Sequence, residues 1–315
     1  MKNKTIGGIM LIIATLIWGT SLVAQRLATG HIGPFTFNAV RFLIGALALL
    51  PFILITDYHK NRLQTSDNRF ETKDILQIKG GLICGCILFA TASLQQIGII
   101  YTTVGKAGFI TALYVVIVPV LGLFFGRHIH LQILGCIFLA TFGMYLLCIN
   151  EKFTLGFGDT LVLICAFSTA VHILTIDYLS SKVDCVKLSC LQFFVCGILS
   201  SIAAFIFEKP ELQSLMNASG PIIYTGILSC GVAYTLQALG QKYVSPVAAS
   251  LILSLESVFS VLSGWIMLGE TLSIREILGC IMMFTAIIVS QTMELWGYKM
   301  KSFKDDSTSN QINPK

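Results

Sequence analysis

Ile133-Leu134-Gly135-Cys136-Ile137 returns unchanged as Ile277-Leu278-Gly279-Cys280-Ile281, 144 positions later. The match extends upstream at an offset of 142, where Gln95 aligns with Gln237, Gly98 with Gly240, Tyr101 with Tyr243, Ala107 with Ala249 and Gly122 with Gly264. Two extra residues in the second copy, near Gly269 to Ser273, change the offset. The chain reads as two copies of one unit, and its fold follows from what one unit is.

Each unit is a series of long apolar runs. Asp, Glu, Lys and Arg supply 12% of the 315 residues, against roughly 25% in soluble domains. Apolar residues reach 55% and the mean hydropathy is +0.81. A soluble chain of this composition would have to expose large apolar patches; a lipid surround removes that problem. A membrane-spanning helix needs about 20 mostly apolar residues whose backbone bonds within the segment. On that rule the expected spans are 5–27, 35–56, 80–99, 106–126, 131–149, 159–179, 187–207, 220–240, 246–268 and 275–293. The expectation is an all-α integral membrane protein of ten helices, with one five-helix repeat over 5–149 and a second over 157–293. An odd number of spans per unit makes the copies cross the bilayer in opposite senses, the inverted repeat associated with alternating-access transporters.

The first run, Thr5 to Gln25, follows Lys2 and Lys4 and superficially resembles a signal peptide. Its length and the lack of a clear small-x-small cleavage site favour a retained first helix. Fifteen of the 21 Lys and Arg residues fall on one side when the N-terminus is placed in the cytoplasm, among them Lys60, Arg62, Arg127, Lys182, Lys242 and Lys301. The positive-inside bias therefore predicts a multi-pass cell-membrane protein with both termini cytoplasmic. The net charge of +5 is a topology signal and gives no nucleic-acid footprint. The tail 297–315, rich in Lys, Asp, Ser and Asn, is expected to be disordered and cytoplasmic.

Glu256 stands out as the one carboxylate well inside an expected span. Intramembrane charges are expensive and face a cavity or a partner. Its repeat counterpart on span four is Tyr114. Arg41, a few residues into span two, either snorkels to the outer interface or meets a substrate carboxylate. His172 in span six is a proton relay or a satisfied hydrogen-bonding group. Gln95, Gln237 and Tyr234 are placed to orient a solute or to join helices, and Trp18 is deep enough to line a cavity. On one side of span four lie Gly108, Thr111, Ala112, Pro119, Gly122 and Gly126; on the matching side of span nine lie Ser250, Ser254, Ser257, Ser260 and Gly264. Such stripes serve either close helix packing or the wall of a central cavity. Leu251, Ile252, Leu255, Val258, Phe259, Leu262 and Trp265 form the opposite side of span nine, on which Leu262 is taken to face lipid.

No HExxH, Walker A or GxSxG sequence is present, so no encoded hydrolysis is recognisable. Most of the ten cysteines lie inside apolar runs without zinc spacing, where a thiol acts as a small hydrophobe. No enzyme activity, cofactor or metal is therefore expected. The expected partners are a small-molecule substrate and the lipid bilayer, with no nucleic acid; a homodimer is among the assemblies open to such a chain.

Several segments together resemble the EamA-type permeases of the drug/metabolite transporter superfamily. They are Ile17-Trp18-Gly19-Thr20-Ser21, Pro34 through Arg41-Phe42, Gly158-Asp159, and the stretch from Val244-Ser245-Pro246 through Ser254-Leu255-Glu256 to Leu268-Gly269-Glu270 and Leu278-Gly279. The resemblance covers about residues 6–292. It implies ten helices, cytoplasmic termini and secondary transport of small metabolites, often export of amino acids or related compounds. This chain departs from the family's common Glu-Pro pair, placing Ser257 after Glu256. The competing expectations are efflux of lipophilic cations with Glu256 as counter-ion, and a non-transporting scaffold or sensor. A polar central cavity favours metabolite transport, an aromatic one charged only by Glu256 favours drug efflux, and a closed bundle favours the scaffold.

Overall fold

A computed structural model describes residues 2–63, 70–102, 104–124, 126, 131–148, 156–268, 273–275, 277–290 and 292–293. The tail 297–315 and the Gly269-Glu270 pair lie outside them. Every regular element among the described residues is helical. In chain order these are α1 (Lys2–Ala28), α2 (Pro34–Leu63), α3 (Phe70–Tyr101), α4 (Val104–Ala112), α5 (Tyr114–Phe124), α6 (Leu131–Cys148), α7 (Phe157–Ser180) and α8 (Cys185–Phe207). The short α9 (Leu212–Asn217) precedes α10 (Ser219–Tyr224), a π-helical stretch (Thr225–Tyr234) and α11 (Thr235–Gln241), then α12 (Pro246–Leu253) and α13 (Leu255–Leu268). A last apolar helix, α14, covers Ile277–Ser290.

Among the described residues, eight helical stretches have the length and composition to cross a membrane, while Leu131–Leu146 and Ile277–Ser290 are apolar but shorter. The outward surface is an apolar belt: Phe138, Phe205 and Phe207 are each more than 70% exposed. Water would not tolerate that belt, and lipid does.

Sequence chemistry starts the helices where expected. Asp184 caps α8, accepting from the N–H groups of Val186 and Lys187 at 3.0 and 3.2 Å. Ser245 caps α12 through Ala248 N–H at 3.3 Å, with Pro246 at the first helical position. The start of α2 is capped from another helix. Glu208, at the end of α8, accepts from Phe35 N–H and Thr36 N–H at 2.8 Å each and from the Thr36 hydroxyl at 2.6 Å. Two of these bonds satisfy backbone donors that a helix N-terminus leaves orphaned. At the other end of the same pair, Lys187 Nζ lies 2.8 Å from an Asp57 carboxylate oxygen.

Helix α2 packs along α8 and the π stretch, α3 along α7 and α8, and α1 along α13, α11 and the π stretch. The largest apolar core joins residues of α1, the end of α3, α4–α7 and α12–α14. Glycines set the closest crossings. A Cβ on Gly19 of α1 would sit 2.5 Å from Phe259 Cβ of α13, and one on Gly143 of α6 would sit 2.8 Å from the Gly279 carbonyl oxygen of α14. The glycine of the second Ile-Leu-Gly-Cys-Ile motif is thus a backbone contact, as small residues are at membrane-helix interfaces.

Among the described residues, three spans depart from plain α-helix. Span four breaks at Leu113, between α4 and α5, and span nine at Ser254, between α12 and α13. Span eight carries a π stretch of 10 residues. Leu262 of span nine, taken above to face lipid, is half-buried against the core. Leu251, Ile252, Leu255 and Val258 are at most 2% exposed, because α1, α4, α5, α6 and α7 surround this span.

Candidate functional site

The two broken spans meet at a cavity of about 50 Å³. Tyr114 opens α5 directly after the Leu113 break, and Glu256 lies in the first turn of α13, directly after the Ser254 break. Both line this cavity. So do the other residues singled out in the sequence: Trp18 of α1, Arg41 of α2, Gln95 of α3, Thr111 of α4, His172 of α7, Tyr234 of the π stretch and Gln237 of α11. The structure brings all nine to one place.

Glu256 makes no hydrogen bond or ion pair with another described residue. The hydroxyls of Tyr114 and Thr111 are buried without a protein partner, which leaves them for water or a solute.

Arg41 does not snorkel. It is 3% exposed, its Nε has no hydrogen-bond partner, and it forms no ion pair among the described residues. Its guanidinium carbon lies 4.8 Å from the Phe42 ring centroid and 5.1 Å from that of Phe37. Such ring contacts supply about 0.5–2 kcal/mol each, while desolvating an ion costs several kcal/mol. The rings alone do not balance the burial of this charge.

His172 has a protein partner: its Nε2 donates to Gln192 Oε1 at 2.9 Å, joining α7 to α8. Tyr234 is the centre of a ring cluster, 4.7 Å from Trp18, 5.7 Å from Phe193 and 6.2 Å from His172 between centroids. Tyr234 ends the π stretch, which packs against α1 and α2. Gly45 of α2 approaches so closely that a Cβ there would lie 2.6 Å from Cys230 Cβ. The Trp18 indole N–H donates to the Ser229 carbonyl at 3.3 Å. A carbonyl within a π stretch has thus gained a side-chain donor, the kind of backbone irregularity that gathers at functional sites.

Sequence reading missed Gln25, Leu88, Thr91, Thr169, Ile173, Ser229 and Leu253, which also line the cavity. Helical spacing carries the signal for some of them. Thr91 lies four residues before Gln95, and Thr169 three before His172, so each pair shares a helix face. The serine stripe of span nine does not line the cavity. Its hydroxyls bond back to their own helix, Ser250 to Val247 O at 2.8 Å, Ser254 to Leu251 O at 2.7 Å and Ser257 to Ser254 O at 3.1 Å. Among the described residues, no group of His, Cys, Asp or Glu is arranged to hold a metal ion.

The family model described as "EamA-like transporter family" matches residues 5–149 and again 156–292. The chain belongs to this family. Among the relatives of this EamA transporter, a protein of Archaeoglobus fulgidus named "Uncharacterized transporter" is 30% identical over 89% of this chain and 83% of its own length. The Bacillus subtilis "Uncharacterized transporter YoaV" is 23% identical over 89% of this chain and 94% of its own. A solved structure titled "Crystal structure of protein" superposes with a TM-score of 0.71 at 16% identity, covering 91% of this chain and 96% of that one. That likeness is one of fold. The EamA transporter is thus a multi-pass membrane protein and a transporter, not an enzyme. Its cavity presents a cation, a carboxylate, neutral hydrogen-bonding groups and aromatic rings to whatever enters.

Proposed function

We propose that this EamA transporter is a secondary active transporter of a small polar or amphipathic metabolite, an amino acid or a related solute, working by alternating access as an exporter. One observation carries the reading: Arg41 and Glu256, opposite charges without ion-pair partners among the described residues, line one cavity where spans four and nine are interrupted. Discontinuous helices around a site between repeats are the usual architecture of such transporters. A solute carrying both an acidic and a basic group matches the pair. A lipophilic cation matches it less well, because Arg41 would repel it. A scaffold would have no use for a cavity lined by hydroxyls and amides that lack partners.

The packing supports ten spans in two inverted five-helix repeats. Span three lies on spans six and seven as span eight lies on spans one and two, and span four touches span six as span nine touches span one. Exchanging repeat partners maps each of these contacts onto the other. The lysine and arginine distribution supports cytoplasmic termini and residence in the cell membrane. At about 50 Å³, the cavity holds a few waters at roughly 10–15 Å³ each. Loading a metabolite therefore requires the surrounding helices to part.

The test is Glu256→Gln in proteoliposomes, assayed by counterflow with a metabolite library and by accumulation against an imposed proton gradient. Gln keeps the shape and hydrogen-bonding capacity and removes the titratable group. The variant is expected to fold, and to lose gradient-driven transport. Wild-type rates with an unchanged pH profile would assign Glu256 a structural role.

A further inference from the structure

Arg41 is a buried cation whose neighbours on its own helix are rings and an amide. Asn38, one turn earlier on α2, is 0% exposed, and both its Nδ2 and its Oδ1 lack a hydrogen-bond partner. Residues three apart share a helix face, so an unpartnered amide and an unpartnered guanidinium nitrogen face the same side of α2. Ser200 of α8, also 0% exposed, lies at the same depth. It sits between the place where Gly197 abuts Leu43 and the place where Glu208 clamps Phe35 and Thr36. Buried polar groups are nearly always satisfied, and a buried charge is paired. A cation and an amide left open together, beside a cavity that Arg41 also lines, describe a site lacking its anion. Glu256 lines the same cavity without pairing with Arg41.

We propose that Arg41 and Asn38, with Ser200 at their level, form a binding site for a small monovalent anionic group, either a solute carboxylate or a halide ion. The guanidinium supplies the charge and the Asn38 amide a second donor. The ring faces of Phe37 and Phe42 leave the edge of the guanidinium, which carries its N–H donors, open to the ligand. This deepens the transport reading, since a bound carboxylate would fix the acidic end of the solute on α2, yet its first test involves no transport.

The experiment follows thermal unfolding of the purified full-length protein as chloride, acetate or the bulkier methanesulfonate is titrated at constant ionic strength. Occupancy of the site should raise Tm saturably, by roughly 5 °C at concentrations well above Kd, with chloride or acetate and not with methanesulfonate. Arg41→Gln should abolish the rise. Asn38→Asp places a tethered carboxylate beside Arg41, and should give a higher Tm without added anion together with loss of the anion response. A response to acetate and to amino acids, but not to the corresponding amines, identifies the solute's carboxylate as the ligand; a response to chloride alone identifies an inorganic ion. The proposal is overturned if wild-type Tm ignores both small anions, or if Asn38→Asp keeps the full response. It is also overturned if Glu256→Gln creates a response that the wild type lacks, since Glu256 would then be the counter-ion. Should these stability tests fail while counterflow succeeds, the transport reading stands and the anion site falls.

Discussion

Gly19→Ala tests whether the crossing of α1 and α13 sets the dimensions of the cavity. The added Cβ would lie 2.5 Å from Phe259 Cβ, 2.7 Å from Phe259 C and 2.8 Å from Ser260 N. Ordinary contacts begin near ~3.5 Å, so the two helices must part locally by roughly 0.7–1 Å. Two of the three obstructing atoms are backbone, which cannot swing aside as the tip of a flexible side chain can. Overpacking of this kind costs about 1–3 kcal/mol, offset in part by the ~1 kcal/mol by which Ala exceeds Gly in helix propensity. The expected net destabilisation is about 0–2 kcal/mol, and an effect on function should accompany it. Trp18 adjoins Gly19, and Glu256 lies one turn before Ser260, so separating these backbones moves two walls of the cavity apart. A differential loss of 1–2 kcal/mol in solute binding corresponds to about a 5–30-fold loss of affinity. Gly108→Ala is the control, because nothing lies within 4 Å of a Cβ there; its Tm should be unchanged or higher. Both variants are to be compared by thermal unfolding and by initial counterflow rates. If Gly19→Ala matches the wild type in both assays, the crossing is not as close as described and the argument fails.

Two further outcomes are expected. Glu208→Ala removes the cap on α2 and should lower stability by about 1–2 kcal/mol, with Glu208→Gln intermediate because its amide oxygen still accepts; equal Tm for all three proteins would show that water caps α2 equally well. In a background lacking the native cysteines, single cysteines at Asn61 and Ser309 should resist an impermeant reagent in intact cells if the cytoplasmic location predicted from the lysine and arginine bias holds; efficient external labelling at both positions would invert the topology.

Much of this structure was legible because lipid imposes simple rules. Apolar length located the helices, and the isolation of Glu256 and Arg41 within apolar runs picked out two residues that line one cavity. The burial of Leu251, Ile252, Leu255 and Val258 was not legible. An apolar face in a membrane protein points equally well at lipid or at other helices, so periodicity cannot separate the two environments. Of the two readings open for the serine stripe, the cavity wall fails, while its burial at 0–5% exposure agrees with close packing. A hydroxyl can satisfy itself on the preceding turn, as Ser254 does on Leu251 O at 2.7 Å, and then does not mark a cavity. The π stretch had no local signal at all. Gly45 and Trp18, which pack against it at Cys230 and Ser229, are more than 180 residues away in the chain.

The interruption at Ser254 is made without proline. Ser254 N–H still reaches Ser250 O at 3.0 Å, and Ser257 N–H then turns to Ser254 O at 3.2 Å, one residue short of the α-helical partner. A proline at this place would make the interruption permanent, since its ring removes a donor and collides with the previous turn. Here every residue from Ser250 to Ser257 keeps its N–H. Straightening the helix requires only that Ser257 exchange one acceptor for the next, with no covalent obstacle. Where a proline would act as a fixed elbow, this chain has a joint that can heal and re-form within a single molecule's working cycle.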